Sequence, residues 1–515
     1  MKLLNRKEFI KKSAIVAAGT MLVPKFLRAA PITIEKAAII DLHCHPSLKM
    51  YLWDKRFWKR HWWRSPGENI FHQQEDAHEF DFGNVRGALT THYLIEGGIE
   101  KRWSLIKFLW PALTVFWPSE ASKVEHEDYS NFAQVNEMMD ILEIQLSTAN
   151  SKLGTNIVIA RSYDEFTVAL AETGTIPFIH SIEGGHALGR NLVRSEDKIK
   201  EKKKIAKEHP EKYDPQLVHT TAILAGEGVM ESGPTKSYKY IKNLEAFNAR
   251  GVCLMTLSHF FENDLSWPCE GMSPDSKKFP GFNWQYTPPG DDKGLKDVGG
   301  DVVRKMLDIG MIVDLTHSTP QVRQDVFAIR ADVNVQRLAE KKHPRPLVFT
   351  HVGSREVFDR HDNGMYTNYG FYDVSEQEIK QVCNGGGLIG IIPEIFFLAG
   401  SNRAAQIPGV IVSDELLGIP YIIETMKAIN KYTPGQDYDY IGIGTDFDGL
   451  ATNPKDLYLN RQLSQLFTAM RADPELGKGD RVEKITYKNS AKLLRYGWGE
   501  NDIPSNEWPV PTISI

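Results

Sequence analysis

Five short apolar runs along this chain each end in a side chain that can hold a metal ion. They are IIDLHCHP (39–46), PFIHSIEGG (177–185), GMIVDLTHS (310–318), PLVFTHVGS (346–354) and IGIGTDFDG (441–449). Strands buried on both faces look like this, because neither face has to meet water. A parallel barrel brings the C-terminal ends of such strands to one mouth. The pattern therefore predicts an α/β fold, a (β/α)8 TIM barrel, with a metal cluster at that mouth.

Eight candidate strands follow one another, at about 37–43, 87–95, 176–182, 251–257, 310–315, 346–350, 386–392 and 439–445. Helix-like stretches precede several of them. In DVVRKMLDIG (301–310), Val302, Val303, Met306, Leu307 and Ile309 share a face, and Gly310 stops the helix. SEQEIKQVCNGG (375–386) and ELLGIPYIIETMKAIN (415–430) behave alike. The barrel is expected over 37–500, with 501–515 as a C-terminal tail.

Long insertions, roughly 47–85, 97–150, 186–245 and 260–298, follow the first four strands and are expected on the catalytic face. Two of them, WDKRFWKRHWW (53–63) and KRWSLIKFLWPALTVFWP (101–118), mix tryptophan with basic residues. One reading is a packed lid or homodimer contact. The other is a peripheral membrane or substrate-gripping patch. The charged run at 196–213 reads as a solvated surface helix.

With 42% hydrophobic and 25% charged residues and a net charge of −5, the 515-residue chain is an ordinary globular sequence with no basic block. Nucleic acid is not an expected partner. Cys44, Cys253, Cys269 and Cys383 form no CxxC pair, although Cys253 and Cys269 could bridge in an oxidising compartment. Residues 1–30 read as an export signal. Basic residues precede the apolar run SAIVAAGTMLV (13–23), which is too short to span a bilayer. NRKEFIK resembles a twin-arginine signal with Arg6-Lys7 in place of the arginine pair. The expected location is exported, periplasmic or associated with the cell envelope.

Period-two geometry turns His43 and His45 to one face and Cys44 to the other. Neutral imidazoles suit zinc and related divalent ions. Glu183 is a carboxylate that can bridge two ions, and Gly184-Gly185 let the backbone turn away beneath it. His317, His351 and Asp446 end later strands. Six such residues in register with a barrel make a metal centre the natural reading.

The ordered set SIEGGHAL, LMTLSHF, GMIVDLTHS, PLVFTHVGS and GIGTDFDGL, with NSAKLLRYGW (489–498) as a closing helix, resembles the membrane (renal) dipeptidase family of the amidohydrolase superfamily over 37–497. The resemblance implies two divalent ions, zinc first. His43, His45, Glu183 and Asp446 would hold one, and Glu183, His317 and His351 the other. It implies hydrolysis of amide or peptide bonds in a small or short-peptide substrate by a metal-bridging hydroxide. Asp446 would carry the proton, His259 would stabilise the tetrahedral intermediate, and Asp448 would orient its neighbours.

Two departures stand out. The family has His-x-Asp at the first strand, whereas this chain has His43-Cys44-His45. Where the family places a carboxylate-binding arginine before an asparagine, this chain has Asp362 before Asn363, and Arg360 is the nearest arginine. Either Arg360 binds substrate from two positions away, or Asp362 faces a substrate without that carboxylate. A separate alternative keeps the metals and acts on another small substrate, such as a cyclic amide, a lactone or an N-acyl amino acid, and a non-catalytic metal-binding barrel is the alternative to an enzyme.

Overall fold

The computed structural model describes residues 38–61, 73–96, 131–189, 235–269, 293–361, 372–394, 398, 418–449 and 453–499. The expected export signal, the C-terminal tail, Asp362 and the segments 101–118 and 196–213 lie outside the described residues.

Nine parallel strands form one sheet: β1 (Ile39–Cys44), β2 (Val85–Tyr93), β3 (Asn156–Ile159), β4 (Thr175–Glu183), β5 (Leu254–Thr256), β6 (Ile312–Asp314), β7 (Leu347–Val352), β8 (Leu388–Ile391) and β9 (Ile441–Ile443). Eight follow the order β1-β2-β4-β5-β6-β7-β8-β9, and β3 pairs only with β4 outside that path. The expected strands are all present, and β3 is the addition. The barrel nearly closes through the residues beyond β9: Asp446 N donates to His43 O at 2.8 Å, and His45 N donates to Phe447 O at 2.8 Å.

The helices between strands form where the sequence supplies both a face and an end. Asp297–Ile309 buries Val302, Val303, Met306, Leu307 and Ile309, and Gly310 ends it in the left-handed conformation at φ 72°. Glu376–Asn384 opens with a reciprocal capping box between Ser375 and Glu378. Asn489–Gly497 sends Leu493 and Leu494 into the same apolar cluster as Ile40, Leu42, Leu89, Ile179, Leu254, Ile312, Val348 and Leu388. This cluster fills the barrel interior away from the mouth.

Two residues nearer the mouth, the interior turns polar. Thr91 Oγ lies 2.9 Å from Ser181 Oγ, Thr256 Oγ donates to Asp314 at 2.7 Å, and Thr350 Oγ donates to Asp314 at 2.6 Å. This layer lies between the apolar floor and the candidate ligands.

Two bulges set which side chains reach the mouth. β1 takes three steps from Asp41 to Cys44 while β2 takes two, from Ala88 to Thr90. Ile40 and Leu42 belong to the interior cluster, but beyond the bulge Cys44 joins the cluster between barrel and helices. The extra residue shifts the alternation by one, so His43 and His45 take the inward positions. β7 does the same between Phe349 and Val352. There the sequence neighbours Thr350 and His351 both contribute polar atoms to the interior.

Cys253 and Cys269 do not pair. All four cysteines are buried free thiols. No helix among the described residues is long and apolar enough to cross a membrane.

Candidate metal centre

The strand ends converge as their spacing predicts. Glu183 lies at the middle. Its Oε1 is 3.4 Å from His43 Nε2, 3.2 Å from His317 Nε2 and 3.5 Å from His351 Nε2. Its Oε2 is 3.3 Å from His45 Nε2 and 3.5 Å from His259 Nε2. Asp446 Oδ1 closes one side, 3.0 Å from His45 Nε2 and 3.9 Å from His43 Nε2. The atoms form overlapping triads that could each hold an ion: His43, His45 and Glu183; His43, His351 and Asp446; Glu183, His259 and His317.

Two close contacts would also suit a cation set between the rings. His43 and His45 oppose their Nε2 atoms at 3.0 Å, and His317 and His351 oppose theirs at 3.2 Å. With both rings neutral and protonated on Nδ1, their Nε2 lone pairs would converge on a shared positive charge. Glu183 Oε1 is buried among three imidazole nitrogens and makes no well-aligned hydrogen bond among the described residues, so it has an acceptor site free for an ion. The donor set of imidazoles and carboxylates suits a divalent ion.

The electrostatics follow from burial and crowding. Burial alone would lift the Glu183 carboxyl, but His259 and His43 hold it well below the usual range. Burial would lower His43, but Glu183, with Asp446 and Asp314, outweighs it and the imidazole is pushed up to about 9. His317 and His351 go the other way, because burial and then a neighbouring histidine both disfavour their charged forms.

Backbone strain gathers here. His317, Asp446 and Asp448 adopt left-handed φ values of 64°, 50° and 63°. Each costs about 1–3 kcal/mol and persists only where the surroundings over-determine it. Gly449 is part of that constraint, since a Cβ there would collide with the Asp446 carboxylate and the His45 ring. Asp448 binds no part of the cluster. It accepts from Lys49 Nζ at 2.8 Å, Gln74 N at 2.7 Å and Glu75 N at 3.1 Å, tying the loop after β9 to segment 73–75.

Sequence reasoning missed Glu96. This buried carboxylate accepts from Tyr93 OH at 2.9 Å and from the backbone N–H groups of Phe260 and Phe261 at 3.1 Å each. It also meets His259 Nδ1 at 3.1 Å. Burial would raise its pKa, and His259 lowers it below the ordinary value. A signal was present: YLIEGG (93–98) repeats the apolar-Glu-Gly-Gly pattern of HSIEGG (180–185).

Four further polar side chains have other partners. His92 bonds Ser47 and His180, and His180 reaches Glu143 of helix Asn131–Leu153 at 3.2 Å, so this pair lies behind the barrel wall. His186, in the turn after β4, donates from Nε2 to Leu94 O at 2.8 Å. Arg360 is half exposed and holds Glu424 at 2.5 Å and Glu356 at 2.9 Å, with no contact to the cluster among the described residues.

Known proteins share this architecture. A metallopeptidase from Rhodobacter sphaeroides, crystallised with a phosphinate mimic of the dipeptide L-Ala-D-Ala, aligns with 90% of this chain and all of its own at TM-score 0.55 and 16% identity. The probable dipeptidase PvdM from Pseudomonas aeruginosa aligns with 82% of this chain and 89% of its own at TM-score 0.50 and 15% identity. At such identities the likeness shows the fold. In sequence, an uncharacterised dipeptidase from Schizosaccharomyces pombe is 26% identical over 246 residues, 48% of this chain and 46% of that protein. Dipeptidase ataJ from Aspergillus terreus is 27% identical over 188 residues, 36% of each chain. The chain thus spans less than half the length of these curated relatives. Residues 232–497, just over half of the chain and including His259, His317, His351 and Asp446, match the profile described as Membrane dipeptidase (Peptidase family M19). The chain belongs to the membrane dipeptidase family.

Proposed function

We propose that the chain is a metal-dependent hydrolase of amide bonds in small, dipeptide-like substrates, working with two divalent ions, zinc first. The position of Glu183 carries this reading, with one oxygen near His43, His317 and His351 and the other near His45 and His259. His43, His45, Glu183 and Asp446 would hold one ion, and Glu183, His317 and His351 the other. Bound divalent ions supply Lewis acidity, polarising the scissile carbonyl and making the attacking water acidic near neutral pH.

The chain's own groups do the rest. Asp446, at 14% side-chain exposure the most open of the set, takes the proton of the attacking water and returns it to the leaving nitrogen. His259 offers Nε2 to the developing oxyanion while Glu96 engages Nδ1. The rings of Tyr93, Phe260 and Tyr372 line the centre beside His259 and His317 and exclude water.

A second reading keeps the chemistry and changes the substrate to one without a free terminal carboxylate. It is favoured by Arg360, which is already committed to Glu424 and Glu356. Export to the periplasm or envelope is proposed from the N-terminal pattern alone, and fractionation of expressing cells tests it.

The test of function is metal content together with hydrolysis of a panel of dipeptides, C-terminally blocked dipeptides, lactones and N-acyl amino acids, with and without chelator. Chelator-sensitive amide hydrolysis is expected. No turnover on any amide after loading with zinc, manganese or cobalt overturns the reading. Preference for blocked substrates selects the second.

A further inference from the structure

Thr350 has one hydroxyl and three strong neighbours. Its Oγ is 2.6 Å from Asp314 Oδ2, 2.8 Å from His351 Nδ1 and 3.2 Å from His43 Nδ1. The Asp314 carboxylate is fully buried and surrounded by donors. Thr316 N and Oγ and Thr350 N approach Oδ1, and Thr256 Oγ approaches Oδ2. An ionised carboxylate only accepts, so the single hydroxyl proton of Thr350 goes to Asp314. Thr316 Oγ, 3.4 Å from Thr350 Oγ, has spent its own proton on Asp314.

The two lone pairs of Thr350 Oγ are then left for His43 and His351, and both imidazoles must carry a proton on Nδ1. That leaves the Nε2 lone pairs aimed at the centre. These histidines are one member of each opposed pair, His43 facing His45 and His351 facing His317. The other members have no such hold among the described residues, where His45 Nδ1 and His317 Nδ1 have no hydrogen-bond partner.

We infer that Thr350 is a positioning residue that fixes the tautomer and ring orientation of one histidine ligand at each of the two metal positions. One hydroxyl, oriented by Asp314, couples the two halves of the centre. The bulge in β7 makes this possible, because it lets Thr350 and His351 both reach the interior. The inference rests on the metal-centre reading above.

The test compares wild type, Thr350→Val and Thr350→Ser. Val keeps the shape and removes the hydroxyl, and Ser keeps the hydroxyl. Zinc affinity is measured at both positions by competition with a chromophoric chelator, and thermal unfolding in excess chelator reports the fold. Loss of an outer hydrogen bond to a metal-binding histidine typically costs about 10–100-fold in metal affinity. That loss is expected at both positions in Thr350→Val, with affinity retained in Thr350→Ser. Wild-type affinity in Thr350→Val, or loss at one position only, overturns the inference and leaves the metal centre standing. A wild-type chain that takes up no zinc overturns both. If Thr350→Val does not fold, the Nδ1–H protons of His43 and His351 in the zinc-loaded wild type decide. Their detection by nitrogen-correlated NMR supports the inference, and Nε2–H in either ring overturns it.

Discussion

Glu96 Oε2 lies 3.1 Å from His259 Nδ1, and the opposite nitrogen of the same ring faces Glu183 at 3.5 Å. A buried carboxylate thus sets the orientation of the one centre histidine proposed to meet substrate rather than metal. Burial would lower His259, but Glu183 and then Glu96 raise it, which favours a cationic ring beside a developing oxyanion. In Glu96→Gln the amide has to present an N–H toward the donors Tyr93 OH and His259 Nδ1–H, or lose its bonds to Phe260 N and Phe261 N. The expected result is a fall in kcat of about 10–100-fold with KM little changed. Steady-state kinetics on the best substrate of the panel, with zinc content held equal, checks it.

Asp446 is assigned proton transfer as well as metal binding, so its amide variant should separate the two. Asn keeps an oxygen for the ion and cannot accept a proton. Asp446→Asn should retain most of the bound metal and lose about 10²–10⁴-fold in kcat. Elemental analysis and single-turnover hydrolysis give the two readouts. Unchanged turnover removes Asp446 from the mechanism.

The positions of the proposed ligands were legible because each motif joins a strand period to a chemical type. His43, Glu183, His351 and Asp446 end apolar runs, and parallel strands in one barrel share a mouth. The expected inward aim of His43-x-His45 is also observed, but it depends on a bulge that no residue in IIDLHC announces. Had β1 continued without it, Cys44 would have followed Ile40 and Leu42 inward. β3 was not legible. Its four residues pair only with β4 outside the barrel path, and Asn156 at its start is exposed, so there is little apolar pattern to read. Glu96 was overlooked because a lone carboxylate after a strand is ordinary. Its meaning comes from Phe260, Phe261 and His259, which lie more than 160 residues away.

Removing metal should cost stability as well as activity. Without a cation the five imidazoles and two carboxylates are held only by their own ion pairs and hydrogen bonds, and a bound ion adds to these. Ligand linkage gives about 2.7 kcal/mol when free metal stands at a hundred times its Kd. Calorimetry with and without excess chelator should show a Tm several degrees lower in chelator, restored by zinc. An unchanged Tm would mean that the cluster is comfortable empty.

Gly449 offers a test of the GTDFDG motif that leaves every polar group in place. A methyl group at 449 collides with the Asp446 carboxylate and the His45 ring. Overpacking of this kind costs roughly 1–3 kcal/mol, and here it falls on two proposed ligands of the same ion. Gly449→Ala should lose affinity at that position while keeping the other. Two-step zinc titration reads the difference.

The acid limb of stability has an identifiable contributor behind the barrel wall. Glu143 bonds His180 Nε2 at 3.2 Å, Arg161 at 2.7 Å and Arg250 at 3.2 Å. The His180 hydrogen bond is the first cause that brings its pKa from 4.5 down to about 2. His180 itself is lowered, by burial first, so it acts as a neutral donor to the carboxylate. Because the folded value lies below the unfolded one, the contribution is fully present above pH 4.5 and is lost as pH falls through about 2. Glu143 is partly exposed to solvent, so screening limits the contribution to about 1 kcal/mol or less. Glu143→Gln should lower stability near neutral pH by that small amount and converge on wild type below pH 2. Urea unfolding across the acid range, in chelator so that metal release adds nothing, should show the two curves closing. Parallel curves would place the acid sensitivity elsewhere.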